Sequence, residues 1–350
     1  MTDTADVLTD LPAGWTSRVP TLDDLPRLRQ LRGADKRPFT GSATVDLEAL
    51  EAEVAGQKSW TRRQLVALDP DGLVRAWATA HDRAAGRVLL HLYVDRRLPR
   101  ATADSVAATL YRWIEARGRE FAALRGLPGT QLDASPFAED DAQRRWLAAA
   151  GYRHVRTWLQ MTRGVVPEEA KPGVLPPPRR GVTIRPVATH DNGMPVAADL
   201  QTVHQMLEES FQDHFNSYRE SFPEFVQRLR EDPGHRWDHW WLAYVDDPER
   251  PDAAPMPAGA LVASVSAPDS AGVEGSFVEY IGVHRRARGR GVAKALLFAV
   301  IADAAERGRD RVGLEVDDDS PTGADGLYAS LGWETEYVTE SWHKDITVSG

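Results

Sequence analysis

The segment best suited to chemistry is a glycine-containing loop in the second half of the chain, Val283-His-Arg-Arg-Ala-Arg-Gly-Arg-Gly-Val-Ala293. The hydrophobic pattern predicts a strand before this loop and a helix after it. Gly289 and Gly291 allow the backbone to turn tightly and to approach a ligand closely. The loop N–H groups, the start of the helix and the surrounding arginines therefore favour a phosphate-bearing ligand.

Two common nucleotide-binding motifs do not fit this loop. A dinucleotide-binding fingerprint needs a third glycine near position 294, where this sequence has lysine. A Walker A loop needs Gly-Lys followed by Ser or Thr, which this loop lacks. The ligand is therefore expected to be of another kind.

A regular series of strands and helices must position the loop. Residues 276–284, 291–307 and 311–317 form a strand–helix–strand unit, which we expect to be right-handed with parallel strands. The other strands predicted in this half cover 182–186, 240–246, 258–266 and a final pair from about 333 to 346, and the other helices cover 196–210, 222–231 and 322–331.

The chain divides near its middle. Its 350 residues favour two domains of about 150 residues each, and residues 164–181 contain five prolines, which cannot form a helix or a central strand. The two halves resemble each other, since Trp146–Tyr152 matches Leu327–Trp333 as a helix closed by glycine before an aromatic residue. The sequence predicts two copies of one α/β domain, at 12–163 and 182–347, joined by a Pro-rich linker at 164–181.

Charge and composition exclude several classes of function. The net charge of −10 disfavours nucleic-acid binding and favours a cationic substrate. The absence of cysteine removes disulfides, thiolate zinc sites and a cysteine nucleophile, and no metal is expected. The acidic start of the chain does not resemble a secretion signal, and Lys294 and Asp303 interrupt the most apolar stretch. These features predict a cytoplasmic protein without membrane contact, either a monomer or a homodimer.

Two motifs at this separation resemble the GNAT superfamily of acyl-CoA-dependent N-acyltransferases. They are Arg288-Gly-Arg-Gly-Val-Ala293 and Leu327-Tyr-Ala-Ser-Leu-Gly-Trp333, and the resemblance covers most of residues 182–347. The tandem arrangement resembles the mycothiol synthase group. The resemblance implies, for each half, an α/β fold with a mixed, mostly antiparallel central sheet flanked by helices. One parallel βαβ unit in such a domain binds CoA.

The resemblance also implies where acetyl-CoA, the acyl donor, would bind. The backbone of Ile281 and Val283 would bind the pantetheine arm. Ser320 stands where the family often has asparagine, and its hydroxyl keeps one hydrogen bond. The loop residues that would hold the pyrophosphate are Arg288, Gly289, Arg290, Gly291, Val292 and Ala293.

The family's mechanism assigns roles to three further residues. Tyr328 occupies the position of the acid that protonates the departing thiolate. The base that takes the amine's proton is either Glu279 or Glu315, both near the place where the two parallel strands would separate at a bulge. Some relatives use water instead. The amine would attack the thioester directly, because no cysteine exists to carry the acyl group.

The first half lacks these features. When its strand is aligned with the second, Pro99, Thr102 and Asp104 replace the Arg, Gly and Ala of the loop, and Leu147 replaces the tyrosine. Proline has no N–H to donate, and an aspartate disfavours phosphate. Residues 12–163 are therefore predicted to keep the fold without binding acyl-CoA, and to support the second domain or line its acceptor pocket.

The residues near the expected acceptor side admit two interpretations. The aromatic-rich run from His235 to Leu242, with Asp213, would form a cage for a cationic amine, or these aromatic residues belong to the core. Asp213, His214 and His235 match no standard metal-site spacing.

These features predict an N-acetyltransferase that acts on the primary amine of a small molecule. Three alternatives remain at this stage: acetylation of a protein N-terminus or lysine, mycothiol-synthase-type acetylation of a cysteinyl sugar, and a non-catalytic acyl-CoA-binding regulator.

Overall fold

A single mixed sheet of twelve strands runs through both halves of the chain in the computed structural model. The model describes residues 8–83, 87–211, 220–247, 249–250, 252–269, 271–320 and 323–348. The strands are β1 Thr16–Arg18, β2 Arg62–Leu68, β3 Val74–Arg83, β4 Arg87–Val94, β5 Gly129–Ala134, β6 Arg153–Gly164, β7 Val182–Pro186, β8 His235–Val245, β9 Met256–Ser266, β10 Gly275–Val283, β11 Arg311–Asp317 and β12 Glu334–Thr347. The α-helices of the described ranges are α1 Leu25–Thr40, α2 Leu47–Val54, α3 Arg100–Leu124, α4 Asp141–Ala149, α5 Ala197–Ser210, α6 Phe222–Arg230, α7 Val292–Glu306 and α8 Ala324–Ser330.

The strand order confirms the predicted fold class. The sheet runs β1-β2-β3-β4-β5-β12-β6-β11-β10-β9-β8-β7. β4 pairs with β5 in parallel, and β10 pairs with β11 in parallel, whereas the other ladders are antiparallel. A helix connects each parallel pair, α3 in the first half and α7 in the second. Each half therefore holds one βαβ unit in a mostly antiparallel sheet.

The two halves exchange their last strands. β6, from the first half, pairs with β11 so that Met161 lies opposite Leu314. β12, at the end of the second half, pairs with β5 of the first, where Trp342 lies opposite Ala134. The prediction of a strand pair from about 333 to 346 was wrong. Glu334–Thr347 is one strand of 14 residues, and it pairs with β5 and β6 of the first half instead of with a second strand of its own segment.

Alternating side chains bury both faces of the sheet. On β8, Trp240 and Leu242 belong to the core beneath α5, whereas Trp241 and Ala243 belong to the core beneath α7. All four are buried, so β8 has the continuous apolar sequence of a strand covered on both sides.

The helix that follows the glycine loop, α7, packs tightly against the sheet. The side chains of Leu296, Leu297, Val300, Ile301 and Ala304 have no exposed surface, as the predicted apolar stripe requires. This packing fixes the start of the helix relative to β10. Among the described residues, no helix is both long enough and apolar enough to cross a bilayer.

The strand exchange predicts that a residue near the end of the chain stabilises the first half. Ile346 on β12 is buried in the core beneath α3, and its Cδ1 atom lies 2.9 Å from where a Cβ on Gly118 would stand. Ile346→Ala should lower the free energy of unfolding by about 2–4 kcal/mol, the cost of a large-to-small core change. Denaturant unfolding followed by tryptophan fluorescence measures this loss.

The neighbouring Thr347 provides the matched control, because its side chain is exposed. Thr347→Ala should change the free energy of unfolding by no more than about 0.5 kcal/mol. Equal effects of the two substitutions would contradict the placement of β12 in the N-terminal core.

Candidate active site

A gap opens between the two parallel strands of the second half. The ladder between β10 and β11 ends at the pair Val278 and Leu314, although β10 continues to Val283 and β11 to Asp317. The register of β10 against β9 shifts at the same point, on either side of Glu279. This bulge turns β10 away from β11 and leaves one edge of its backbone without a strand partner.

The two predicted base candidates are the first residues beyond the paired part of the strands. Glu279 follows Val278 on β10, and its Oε1 atom accepts a 2.7 Å hydrogen bond from the Ser264 hydroxyl. Glu315 follows Leu314 on β11 and accepts a hydrogen bond from the Gln160 amide, which comes from β6 of the first half. Burial raises the pKa of both carboxyls above the ordinary glutamate value.

Tyr328 on the short helix α8 lies beside the same gap. Its ring packs at 6.0 Å from that of Trp333, and the residue is only 7% exposed. Burial raises the pKa of its hydroxyl to about 12, so the group stays protonated at neutral pH. Among the described residues, no protein group hydrogen-bonds to this hydroxyl, and Tyr328 lines a cavity.

A cavity of about 730 Å³ brings the predicted residues together. Glu279, Glu315 and Tyr328 all line it, as do Ile281 and Ser320. The lining, within the described part of the chain, does not include Val283 or the loop 288–293. The glycine loop therefore lies outside this cavity lining, beyond the end of β10.

The glycine loop ends at the start of α7, as predicted. Gly289 has φ +78° and Gly291 has φ +86°, a region of backbone conformation that favours glycine. A Cβ added to Gly289 would contact nothing within 4 Å, so the loop is open on that side. Gly291 is the N-cap of α7, and no side chain caps the helix there. The N–H groups of the first turn, including those of Val292 and Ala293, have no intrahelical acceptors.

An arginine of the Pro-rich linker lies on this loop, and sequence reasoning missed it. The Arg179 Nη1 atom donates a 3.1 Å hydrogen bond to the carbonyl oxygen of Gly289. Its Cδ atom lies 2.9 Å from where a Cβ on Gly291 would stand. Arg290 extends in another direction and donates to the carbonyl oxygen of Asp246 at 3.0 Å. The linker therefore adds positive charge at the start of α7, which suits a phosphate.

The first half also lines the cavity, although the sequence motifs did not indicate which of its residues do so. The N-terminal side chains that line it include Lys58, Arg62, His81, Arg83 and Arg87. The strand exchange and direct contacts fix the two halves together here: the Lys58 Nζ atom lies 2.9 Å from Asp232, and Arg83 donates to the Tyr280 hydroxyl at 3.0 Å.

The sequence of this region decides the family. Residues 201–333 match the sequence model of the acetyltransferase (GNAT) family. The C-terminal half is a GNAT domain. The predicted resemblance to the GNAT superfamily is confirmed for this part of the chain, and the match supports an acyltransferase; the comparisons do not single out the mycothiol synthase group. A search of proteins with curated functions finds no significant match.

Solved structures extend the likeness to the whole chain. A GCN5-related N-acetyltransferase from Sphaerobacter thermophilus is 23% identical with a TM-score of 0.68, and the alignment covers 96% of this chain and 97% of that one. A tandem GNAT protein from the clavulanic acid biosynthesis pathway is 15% identical with a TM-score of 0.64, covering 96% and 99%. N-myristoyltransferase from Saccharomyces cerevisiae is 11% identical with a TM-score of 0.55, covering 97% and 80%. At these identities the likeness concerns the fold, which is the tandem GNAT fold.

The corresponding loop of the N-terminal half contains a carboxylate of its own. Asp95 follows β4 and accepts hydrogen bonds from Arg27 at 2.6 Å, Arg75 at 2.9 Å and Arg97 at 3.1 Å. Burial acts against ionisation, but the arginines outweigh it and hold the pKa of Asp95 well below its usual range. The ladder between β3 and β4 has no bulge. This half has the GNAT topology, and the first residue after its strand β4 is a carboxylate bound by three arginines.

The aromatic run on β8 has a mixed role. Trp240 and Trp241 are buried in the cores, whereas His235 lines the cavity with its ring 4.3 Å from that of Trp237. Burial lowers the pKa of His235 to about 4, so the imidazole is neutral at physiological pH.

Asp213 and His214, considered above with His235 as possible metal ligands, lie outside the described residues. Within the described ranges, no cluster of three or more potential metal ligands is present.

The open side of Gly289 predicts a selective loss of acetyl-CoA binding. Gly289→Asp would place a carboxylate at the start of α7, where a phosphate is expected, and should weaken acetyl-CoA binding by about tenfold or more, or about 1.4 kcal/mol. Isothermal titration calorimetry measures the dissociation constant.

Gly272→Asp is the matched control. Gly272 has φ +79° and an equally open side, but it lies in the turn before β10, at the far end of that strand from the loop. Both variants should lose stability on the order of 1 kcal/mol through backbone strain. Equal affinities of the two variants would remove the loop from the acetyl-CoA site.

Proposed function

We propose that the chain transfers the acetyl group of acetyl-CoA to the primary amine of a small molecule, by direct attack in a ternary complex. The observation that carries this proposal is the placement of Glu279, Glu315 and Tyr328 on one cavity, at the gap between β10 and β11. Groups able to accept and to donate a proton thus lie where the thioester of a donor in the gap would be.

The residues present fit acetyl-CoA as a substrate. The N–H groups at the start of α7, the open side of Gly289 and the Arg179 guanidinium suit the pyrophosphate. The unpaired edge of β10, which includes Ile281 and Val283, offers backbone hydrogen bonds to the amide groups of a pantetheine arm. Ser320 lines the cavity beyond β11 and keeps its place in the proposed site.

We assign the general base to Glu279. Its one side-chain hydrogen-bond partner among the described residues is the Ser264 hydroxyl, which can rotate away. Glu315, by contrast, is held by Gln160, whose amide also donates to Thr339 at 3.0 Å. A carboxylate with fewer fixed donors is the stronger base.

Glu279 takes a proton from the amine as its nitrogen bonds to the carbonyl carbon. The carbon–sulfur bond then breaks, and the Tyr328 hydroxyl gives its proton to the departing sulfur. The products are the N-acetylated acceptor and CoA thiol, and proton transfer from Glu279 through solvent restores the tyrosine. No acyl-enzyme intermediate is needed in this scheme.

The walls of the cavity favour a small acceptor. Side chains of the N-terminal half line the cavity together with the gap-forming strands of the GNAT domain, and Arg83 of that half donates to Tyr280 on β10. A wall on that side leaves space for a molecule within a cavity of about 730 Å³ and little for an extended polypeptide.

The test measures donor binding and turnover separately. Calorimetric titration should give one acetyl-CoA per chain, because Pro99, Thr102 and Asp104 of the N-terminal half replace the Arg, Gly and Ala of the loop. Since the chain contains no cysteine, a thiol reagent detects released CoA without a protein background. Amine-dependent release of CoA is expected. Binding of acetyl-CoA without release by any primary amine would favour a non-catalytic acyl-CoA-binding protein.

Tyr328→Phe should lower kcat by about 10²-fold or more, because the thiolate must then leave without a proton donor. The dissociation constant of acetyl-CoA should stay within about twofold, since the ring is retained. Tyr152→Phe is the control: Tyr152 is a buried tyrosine of the N-terminal half whose hydroxyl has no hydrogen-bond partner in the described ranges. Its turnover should equal that of the unmodified protein. Normal turnover in Tyr328→Phe would show that this hydroxyl is not the acid.

The raised pKa of Glu279 predicts the pH dependence of kcat/KM. The base works only when ionised, so activity should fall as the pH drops through a value above that of an ordinary glutamate. Glu279→Gln should lower kcat/KM by about 10²-fold or more and remove this limb of the profile. Glu315→Gln should retain the limb. The reverse pattern would transfer the role of base to Glu315.

A further inference from the structure

The charges on the cavity walls are separated between the two halves of the chain. The N-terminal wall has four cationic side chains, Lys58, Arg62, Arg83 and Arg87, and a single carboxylate, Asp133. The wall formed by the GNAT domain has the opposite balance, because a single arginine among its described lining residues stands among several carboxylates. The lining residues of the two halves therefore carry opposite net charges.

Several of these charges form ion pairs. Arg87 pairs with Asp133 within the N-terminal half. Lys58 pairs with Asp232 of the GNAT domain, at 2.9 Å. In the GNAT domain, Arg228 binds Glu220 at 2.6 Å.

The gap carboxylates differ from these paired groups. Neither Glu279 nor Glu315 forms an ion pair with any described residue. They are therefore the acidic end of the cavity at which an ammonium group would be stabilised.

Arg62 provides positive charge among the N-terminal lining residues. Its nearest carboxylate in the described ranges, the Glu53 Oε1 atom, is 3.9 Å away, and Glu53 is bound more closely by Arg32 at 2.7 Å. Arg62 instead contacts His81 at 3.3 Å and the carbonyl oxygen of Lys58. Its charge is compensated only weakly.

Arg83 lies close to both the cationic wall and the gap. Its Nη2 atom donates to the Tyr280 hydroxyl at 3.0 Å, and Tyr280 directly follows Glu279 on β10. The positive charge of Arg83 also lowers the pKa of Glu315, although burial and the neighbouring carboxylates outweigh it. Arg83 is thus within electrostatic range of the gap carboxylates.

His81 reports the potential on the N-terminal wall. Burial and the charges of Arg62 and Arg83 lower its pKa to about 2, so the imidazole is neutral at physiological pH. Burial is the largest cause of this shift and the two guanidinium groups add to it, so Arg62 and Arg83 both lie within electrostatic range of His81.

We propose that the acceptor is an aminocarboxylate whose ammonium end lies at Glu279 and Glu315 and whose carboxylate is bound by Arg62 and Arg83. This inference rests on the proposed acetyltransferase function and names its acceptor class. A guanidinium presents two parallel donors that match the two oxygens of a carboxylate. The N-terminal half, which has lost the features of an acyl-CoA site, supplies the specificity of the active domain.

Matched pairs of acceptors test the proposal. β-Alanine, 4-aminobutyrate and 6-aminohexanoate differ from their amides in charge but hardly in size, and CoA release measures each reaction. The acid of at least one pair should exceed its amide by about tenfold or more in kcat/KM, mainly through a lower KM. The series of lengths also measures the distance between the two ends of the cavity.

Substitutions assign this preference to the two arginines. Arg83→Gln and Arg62→Gln should each reduce the ratio of acid to amide towards one, and Arg83→Lys should restore part of it because the charge remains. Arg153→Gln is the control, since Arg153 has a side chain 74% exposed and does not line the cavity. Titration with acetyl-CoA checks that each variant is folded with an intact donor site.

Two results would overturn the proposal in different ways. Acetylation of acids and amides at equal rates, or a ratio unchanged in both glutamine variants, would refute the aminocarboxylate acceptor and leave the acetyltransferase function standing. Binding of acetyl-CoA with no turnover of any acid or amide would overturn the proposed function, and the acceptor class with it.

Discussion

The separation of β10 from β11 beyond Val278 and Leu314 is the constraint on which the rest of the site depends. If the parallel ladder continued, backbone hydrogen bonds would fill the space where a pantetheine arm and a thioester can lie. The bulge at Glu279 starts the separation on one strand. On the other strand, β6 pairs with β11 as far as Asp317, so β11 stays in the sheet after it has lost β10. A strand of the N-terminal half therefore keeps the gap open.

The strand exchange therefore places residues of the first half and of the last strand beside the gap. Gln160, which holds Glu315, belongs to the first half of the chain, and Thr339, which helps to hold Gln160, belongs to the last strand. The N-terminal half has changed at its own loop, where Asp95 is surrounded by arginines and the strand before it runs without a bulge. The N-terminal half thus differs from the second half at this strand and loop, and through Gln160 it contributes directly to the neighbouring gap.

The parts of this protein that follow from local patterns could be predicted from the sequence. The apolar stripe and the glycine before it place α7 at Val292–Glu306, within a residue of the expected range 291–307 at each end. The pairing of distant strands could not be predicted, because β12 has the same alternating pattern whichever strand it joins. The same limit applies to Arg179 and Arg83, since only folding brings the linker onto the loop and β3 to the cavity. The gap carboxylates, Glu279 and Glu315, were predicted in two steps. The crossover unit identified the strands that contain them, whereas the separation of those strands was expected only from the family resemblance.

Burial prepares the proposed acid and the proposed base together. A poorly solvated site favours the neutral form of each group, so the pKa rises both for the Tyr328 hydroxyl and for the Glu279 carboxyl. The Tyr328 hydroxyl therefore stays protonated until it donates its proton to the departing thiolate. For glutamate, burial makes the ionised form a stronger base than a solvated carboxylate. The same burial removes the proton from His81, so arginine and lysine provide the positive charge on that wall of the cavity. Burial is thus the largest influence on the protonation of Tyr328, Glu279 and His81 around one cavity. Because residues of both halves line this cavity, the burial depends on both halves of the chain.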